Sequence, residues 1–242
     1  MEIDYAAEYA TLYKRHWWWR ARETFILDAL SRLPLKPGAS ILDIGCGDGL
    51  LFDRLAEFGD VEGVEMDESS VTPSGRWADR IRVQPFDDSF DPGRTYSLVL
   101  LLDVLEHLPN PVGCLRRAIE LLDDTGTLVL TVPAFRALWA SHDVLNHHVT
   151  RYTVRQLDEQ VRCAGGRTEM SRYFFQWMFP AKLAVRAGEA AFGSKPLTPR
   201  IPPHAINAAL RRLSILEQRT ISRLPMPFGS SLLAVVGRPD RR

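Results

Sequence analysis

Cysteine is scarce in this chain of 242 residues: Cys46, Cys114 and Cys163 stand far apart, odd in number and without C-x-x-C spacing. Neither a disulfide framework nor a cysteine zinc site is expected, and a reducing, cytoplasmic setting fits best. Net charge is absent too, with 30 Lys and Arg against 30 Asp and Glu. No overall positive field exists to draw in a phosphate backbone, so nucleic acid is not an expected partner. Nor is there an unbroken apolar run of the roughly 18 residues that cross a bilayer. The nearest stretch, residues 173–192, contains Lys182, Arg186 and Glu189. The opening MEIDYAAEYA is acidic and lacks the basic-then-apolar order of a secretory signal. What is left, 45% hydrophobic and 25% charged residues, is the composition of a globular chain with a length suited to one folded unit over 1–242.

Apolar runs of strand length alternate with helical periodicity, the rhythm of βαβ units and of a mostly parallel sheet covered on both faces. Strands are expected at 40–44, 61–65, 81–84, 96–101, 126–132, 168–174 and 231–236. Residues 1–36 precede the first strand. In them Phe25, Ile26, Ala29, Leu30 and Leu33 space out as an amphipathic helix ending at Pro34 and Pro37-Gly38, behind an aromatic cluster His16-Trp17-Trp18-Trp19-Arg20. Residues 175–230 are rich in proline, bracket a helix over 205–224, and read as an insertion between the last two strands.

The strongest chemical signal is ILDIGCGDGL, residues 41–50, where an apolar strand runs into Gly45, Gly47 and Gly49. Glycines at such a turn let the main chain approach a ligand closely. Glu65, twenty residues after Gly45, ends the next strand, where a carboxylate can accept from both hydroxyls of a ribose. A dinucleotide fold would carry G-x-G-x-x-G or A, whereas here Leu50 fills the slot that needs a small residue. Asp43, just under the loop, suits a ligand bearing an ammonium more than a pyrophosphate.

These residues, with Glu65 and the downstream segments QPFDDSF and LLDVLEHLPNP, resemble the ordered motifs of class I S-adenosylmethionine-dependent methyltransferases over residues 40–135. The resemblance implies a Rossmann-like, doubly wound α/β fold with seven strands, the last antiparallel. It places Asp43, Gly45, Cys46, Gly47 and Gly49 around the methionine part of S-adenosylmethionine, Glu65 on the ribose and Met66 against the adenine. Phe86 and Asp87 fall where the family's acid meets the adenine amino group, with Asp88 as the neighbouring alternative. Leu102, Asp103 and His107 fall beside the transferable methyl. Residues 1–36 would form a helical lid, with Arg20 or Arg22 reaching the methionine carboxylate; the other reading is a helix stapled to the sheet by buried tryptophans.

Methyl transfer from a sulfonium is a direct displacement, so a base is needed only if the acceptor must lose a proton. Asp103, Glu106 and His107, at i, i+3 and i+4, would share one helix face. This segment resembles one in ubiquinone-pathway O-methyltransferases and some RNA 2′-O-methyltransferases, where it can hold a divalent metal; in other relatives it only lines the cofactor pocket, and no metal is assigned here. After the fifth strand His142, Asp143, His147, His148, Arg151 and Tyr152 fall within eleven residues. His142 or His148 would be the base, oriented by Asp143, with Tyr152 beside them; each histidine could instead cap a helix or bind a carbonyl. The pattern W-x-x-x-H-D, H-x-x-R-Y and HWW-x-R resembles a bacterial subgroup of these enzymes.

Between Lys182 and Arg223, eight basic residues face two acidic ones, Glu189 and Glu217. Ile206, Leu210, Leu213, Leu216 and Leu224 recur at helical spacing while Arg211, Arg212, Arg219 and Arg223 take other positions. Such a helix either lies on an anionic membrane surface or packs its apolar side on its own domain. The aromatic run 173–179 suits an acceptor pocket, a dimer contact or core. The expected function is methyl transfer to a small-molecule acceptor, with oxygen the favoured atom. A cofactor-binding protein without catalysis and an RNA methyltransferase are the alternatives; an NAD-dependent oxidoreductase is the weakest.

Overall fold

The computed structural model describes residues 3–192, 199–221 and 224–239; Lys195, Pro196 and Arg223 of the basic segment lie outside them. The described residues form a seven-stranded sheet from β1 (Ala39–Ile44), β2 (Gly59–Glu65), β3 (Ile81–Val83), β4 (Tyr96–Leu102), β5 (Leu122–Pro133), β6 (Arg167–Phe174) and β7 (Ser231–Gly237). Their order is β3-β2-β1-β4-β5-β7-β6. The first five run parallel, and β7 is antiparallel to both β5 and β6. The doubly wound fold with an antiparallel last strand is therefore as expected.

Continuous apolar runs are what a strand covered on both faces requires, and β4 shows why. Leu98 and Leu100 join one buried cluster while Val99 and Leu101 join the opposite one, all fully buried. Helices α4 (Pro111–Glu120) and α6 (Val154–Cys163) cover the second face with Leu115, Ala118, Leu157 and Val161. Thr153 and Gln156 close a reciprocal capping box at the start of α6, which satisfies two backbone N–H groups. β5 starts four residues before its expected position. Gly126 permits this, because a Cβ there would lie 2.6 Å from the Tyr96 carbonyl oxygen, at the point where the β4–β5 register shifts.

On the first face the N-terminal segment is two helices, α1 (Ile3–Arg15) and α2 (Trp17–Leu30), with α3 (Phe52–Leu55) on the same side of the sheet. His16 breaks them apart: its backbone is extended and its Nδ1 accepts the Trp18 N–H at 3.1 Å, capping α2. Trp17 is buried against Phe175 and Trp177, so the staple reading holds for it.

A short helix, α5 (Ser141–Leu145), follows β5; the insertion between β6 and β7 supplies α7 (Met178–Phe192) and α8 (His204–Arg219). Of the two packings considered for α8, the one with the apolar side turned onto the domain is not formed. Leu210 packs on the domain, but Ile206, Leu213 and Leu216 face solvent, while Ser214, Glu217 and Gln218 are buried. Tertiary hydrogen bonds explain the reversal. Glu217 accepts the Trp177 backbone N–H at 2.9 Å, Ser214 accepts the Trp177 indole N–H at 3.2 Å, and the Gln218 amide donates to the Thr24 carbonyl at 3.1 Å.

Asn207 of α8 holds the α1–α2 junction from both sides. Its Oδ1 accepts the Trp17 N–H at 2.9 Å and its Nδ2 donates to the Arg15 carbonyl at 2.8 Å, so it satisfies one orphan group from each helix end. Asn207→Ala should cost about 1 kcal/mol and lower Tm by about 2–4 °C. Thermal and denaturant unfolding of the two proteins check this; an unchanged midpoint would mean that water replaces the amide without cost.

Candidate functional site

The carboxyl ends of β1, β2, β4 and β5 point to one edge of the sheet, and the predicted residues gather there. After β1 the chain turns through Gly45 and Gly47 at φ +72° and +54°. A Cβ on Gly45 would come within 2.7 Å of the Val104 side chain, whereas a Cβ on Gly47 would meet nothing among the described residues within 4 Å. Gly45 therefore packs the loop onto the turn after β4, and Gly47 leaves bare main chain facing open space. Gly49 completes the turn at φ +66°. Cys46 differs from these: its sulfur sits against Gly63 of β2 and burial raises its pKa, so its side chain packs while its main chain forms the loop.

Glu65 ties this loop to the next one, accepting the Gly47 N–H at 2.8 Å on one oxygen and the Asp67 N–H at 2.9 Å on the other. Beyond it Met66 is 71% exposed, an apolar side chain without cover. Phe86 rests on Phe90 at 5.2 Å between ring centroids. Asp87 is exposed and its Oδ1 accepts both the backbone N–H and the hydroxyl of Ser89, which hold its carboxyl below the ordinary range; Asp88 is exposed as well.

Asp43 lies buried under the loop. Desolvation pushes its pKa up to about 7, with Arg22 opposing and Glu65 adding to the rise. Arg22 of α2 is buried too, and its Nε lies 2.7 Å from Asp103 Oδ2. Thr131 of β5 completes the triangle, donating to Asp103 Oδ1 at 2.9 Å and accepting from Arg22 Nη2 at 3.1 Å. Arg20, the other arginine considered, pairs instead with Glu23 on its own helix at 2.9 Å. Of the two, Arg22 is the one the fold brings to the site. Tyr9 of α1 interacts electrostatically with Arg22, Asp103 and Asp43, and its hydroxyl pKa is raised by desolvation, so α1 lies over the same ground. No periodicity marks Tyr9 or Thr131 in the sequence; only the sheet register and the helix turn at His16 assemble them.

Asp103, Glu106 and His107 do not share a helix face. Asp103 has φ +60°, and the turn that follows is a short 3-10 helix, Leu105–His107, so Asp103 points to Arg22. Glu106 is buried, and among the described residues its Oε2 has no hydrogen-bond partner. Burial, with the Asp103 charge next, raises its pKa well above the carboxylate range. Glu106, His107 and His148 each place a ligand atom within 4.8 Å of the other two. That set, in which His148 replaces Asp103, fits a divalent cation by donor chemistry and by the orphaned carboxylate oxygen.

Asp143 is the centre of the loop after β5. It is fully buried; Oδ1 accepts from Arg151 Nε and meets His148 Nδ1, both at 2.8 Å, and Oδ2 accepts the Ala140 N–H at 2.8 Å. Although burial raises its pKa, these hydrogen bonds and the Arg151 charge outweigh it and hold Asp143 far below the usual range. An ionised partner at Nδ1 places the neutral imidazole's proton there and leaves Nε2 as the acceptor. His148 stands edge to face with His107 at 4.8 Å. His142 lies outside the cluster: its Nε2 meets the Asn146 amide at 2.9 Å, and partial burial of the ring with Lys182 nearby lowers its pKa. His147 is exposed in a left-handed turn.

Tyr152 does not reach the site. Its hydroxyl donates to the Leu105 carbonyl at 3.2 Å, its ring is buried, and its backbone bridges Ala134, so it props up the turn that carries Glu106. Burial raises its pKa further from neutrality. Lys182 of α7 carries no site signal in the sequence, where it is one of the charges of the basic insertion. It is half-buried within electrostatic reach of Asp143 and Asp103, and desolvation lowers it to about 8.

A family model described as a methyltransferase domain matches residues 18–168. Among curated proteins, a ubiquinone biosynthesis O-methyltransferase of Azorhizobium caulinodans is 36% identical over 111 residues, covering 43% of this chain and 44% of that protein. The chain thus spans about half the length of the curated relatives it matches. Among solved structures, a chain in the complex of the Haloferax volcanii Trm112 methyltransferase activator with a methyltransferase superposes with TM-score 0.63 at 21% identity, covering 99% of this chain and 96% of that one. Magnesium protoporphyrin IX methyltransferase of Synechocystis PCC 6803, solved with bound S-adenosylhomocysteine, gives TM-score 0.51 at 16% identity over 91% of this chain and 82% of that one. With more than half of its length under the family model and this topology, the chain belongs to the methyltransferase domain family and has the fold of the class I S-adenosylmethionine-dependent methyltransferases.

Proposed function

We propose that the protein transfers the methyl group of S-adenosylmethionine to a hydroxyl of a small-molecule acceptor. The observation that carries the reading is the Asp143–His148 pair, whose imidazole, bonded to Asp143 through Nδ1, stands beside Glu106 and His107 just past the end of β4. The relatives named for O-methylation in ubiquinone biosynthesis support oxygen as the acceptor atom.

In this reading Gly45, Gly47 and Gly49 lay bare main chain along the cofactor, and Glu65 turns its remaining lone pairs to the ribose hydroxyls. Met66 and Phe86 flank the adenine, and Asp87 or Asp88 takes its amino group. Asp43 receives the methionine ammonium, whose charge draws the carboxyl into its ionised form. Arg22, held by Asp103 and Thr131, offers its guanidinium to the methionine carboxylate. Leu102 and Asp103 lie beside the methyl, and α1 with α2 shields it from water. His148 accepts the acceptor's proton at Nε2, and Asp143, fixed by Arg151 and the Ala140 N–H, keeps the imidazole in the required tautomer.

A second reading rests on the unpartnered Oε2 of buried Glu106. Glu106, His107 and His148 would then hold a divalent cation, which when bound lowers the pKa of an acceptor hydroxyl. Binding without turnover on any acceptor would return the protein to the class of cofactor-binding regulators.

Three outcomes are expected. Titration calorimetry from pH 5.5 to 8.5 should show affinity for S-adenosylhomocysteine falling as the pH drops below about 7, because the free protein then protonates Asp43 and must release that proton to accept the ammonium. Asp43→Asn should bind weakly and lose this pH dependence; equal slopes for the two proteins would remove Asp43 from the cofactor site. In a screen of phenolic acceptors, His148→Ala should lower kcat by about 10²–10⁴ while leaving the cofactor Kd unchanged. Full activity in that variant would exclude His148 as the base. If the metal reading is right, EDTA abolishes the activity, Mg²⁺ or Zn²⁺ restores it, and Glu106→Gln loses the response; activity indifferent to EDTA leaves the imidazole alone as the proton acceptor.

A further inference from the structure

We infer that the outer side of α8 is a docking surface for an anionic lipid bilayer. A helix lying on a water-soluble domain ordinarily turns its apolar stripe inward, and α8 does the reverse. Ile206, Leu213 and Leu216 are 53%, 43% and 59% exposed. Spacings of seven and three put them in one stripe of the helix. Beyond the helix Ile221 and Leu224 continue the exposed apolar surface at 44% and 59%. The arrangement is enforced, since Ser214, Glu217 and Gln218 are held inward by hydrogen bonds to Trp177 and Thr24 and Asn207 is anchored at the α1–α2 junction. The stripe therefore cannot roll inward without breaking them.

Charge identifies the occupant. Arg212 and Arg219, seven residues apart, run along the flank of the stripe, and Arg211, Arg200 and Arg186 are exposed on the same insertion. The described acidic side chain of this insertion, Glu217, is buried. An apolar stripe edged by arginines fits the interface of a bilayer with anionic headgroups, with side chains in the acyl boundary and guanidinium groups on the phosphates. A second copy of the chain fits less well, because a two-fold contact would set Arg212 and Arg219 against themselves. The surface adjoins the site: Trp177, bonded to α8, leads directly into α7, whose Lys182 is within electrostatic reach of Asp143. The surface itself does not depend on which atom is methylated.

The test is co-sedimentation of the full chain with phosphatidylcholine vesicles prepared with and without phosphatidylglycerol. Binding should be stronger by about tenfold or more on the anionic vesicles and should fall at high salt. Leu213→Glu with Leu216→Glu, and separately Arg212→Glu with Arg219→Glu, should abolish it while S-adenosylhomocysteine binding and Tm stay as in the parent protein. The inference is overturned if the parent stays in the supernatant with anionic vesicles, or if both double variants pellet as it does. It is equally overturned if light scattering shows a dimer that the Leu213→Glu and Leu216→Glu changes dissolve, since the stripe would then belong to a second copy.

Discussion

A buried arginine has to be paired, and the pairing of Arg22 with Asp103 is the constraint around which the site is arranged. Arg22 enters from α2 and Asp103 from the end of β4, so the ion pair fixes the N-terminal helices over the carboxyl edge of the sheet. Thr131, on the neighbouring β5, hydrogen bonds to both and sets their register. The pair also polarises its surroundings. It leaves Arg22 close enough to oppose the rise in the Asp43 pKa but not to cancel it, and Asp103 adds its charge to the burial of Glu106. One buried cation thus acts on two carboxylates, opposing the rise at Asp43 and at Glu106 and cancelling neither.

The second half of the site works by the opposite means. Asp143 is as buried as Asp43, yet its carboxylate is held ionised, because Arg151, His148 and the Ala140 N–H occupy its oxygens where Asp43 has only distant help. Burial alone fixes neither outcome; the number of donors converging on the oxygens decides. Asp143 is also a structural hinge of its loop, since Arg151 passes on to the Ala134 carbonyl at 3.1 Å and so ties the loop to the end of β5.

Much of this was legible in the sequence where local pattern and tertiary need agree. The apolar runs of β1, β4 and β7 marked strands because a strand covered on both faces needs them, and Gly45, Gly47 and Gly49 marked a turn because each takes a positive φ, between +54° and +72°. Asp143 and His148 were named, as was the loop that brings them together. Legibility failed where a long-range hydrogen bond overrode periodicity. α8 reads as a helix with an inward apolar stripe until Trp177 and Thr24 claim its polar side. Tyr152 carries the chemistry of a catalytic group but spends its hydroxyl on the Leu105 carbonyl, and Arg20 and Arg22 differ only in which side of α2 they occupy. Asp103 was expected on a helix face with Glu106 because the spacing is helical, whereas the backbone there is left-handed.

That left-handed backbone belongs to a pattern. Among the described residues Asp103, Phe135, His147 and Phe175 have φ between +56° and +60°. Asp103 and Phe175 directly follow β4 and β6, and Phe135 comes two residues after β5, all at the same edge of the sheet. Each such residue costs on the order of 1–3 kcal/mol and persists only where its surroundings over-determine it. The surroundings here are visible. The Asp103 N–H donates to the Thr131 carbonyl at 2.9 Å, the Phe135 N–H donates to the Tyr152 carbonyl at 2.9 Å, and the Phe175 carbonyl accepts the Ser230 N–H at 3.3 Å. Phe135 also stacks on Tyr173 at 4.8 Å. A glycine would relieve each strain, but it would lose the carboxylate that holds Arg22 at the first position and the ring that packs on Tyr173 at the second. Backbone strain is concentrated where three strands leave the sheet at one edge, and there Asp103 pairs with Arg22, Phe135 packs on Tyr173 and Phe175 packs on Trp17.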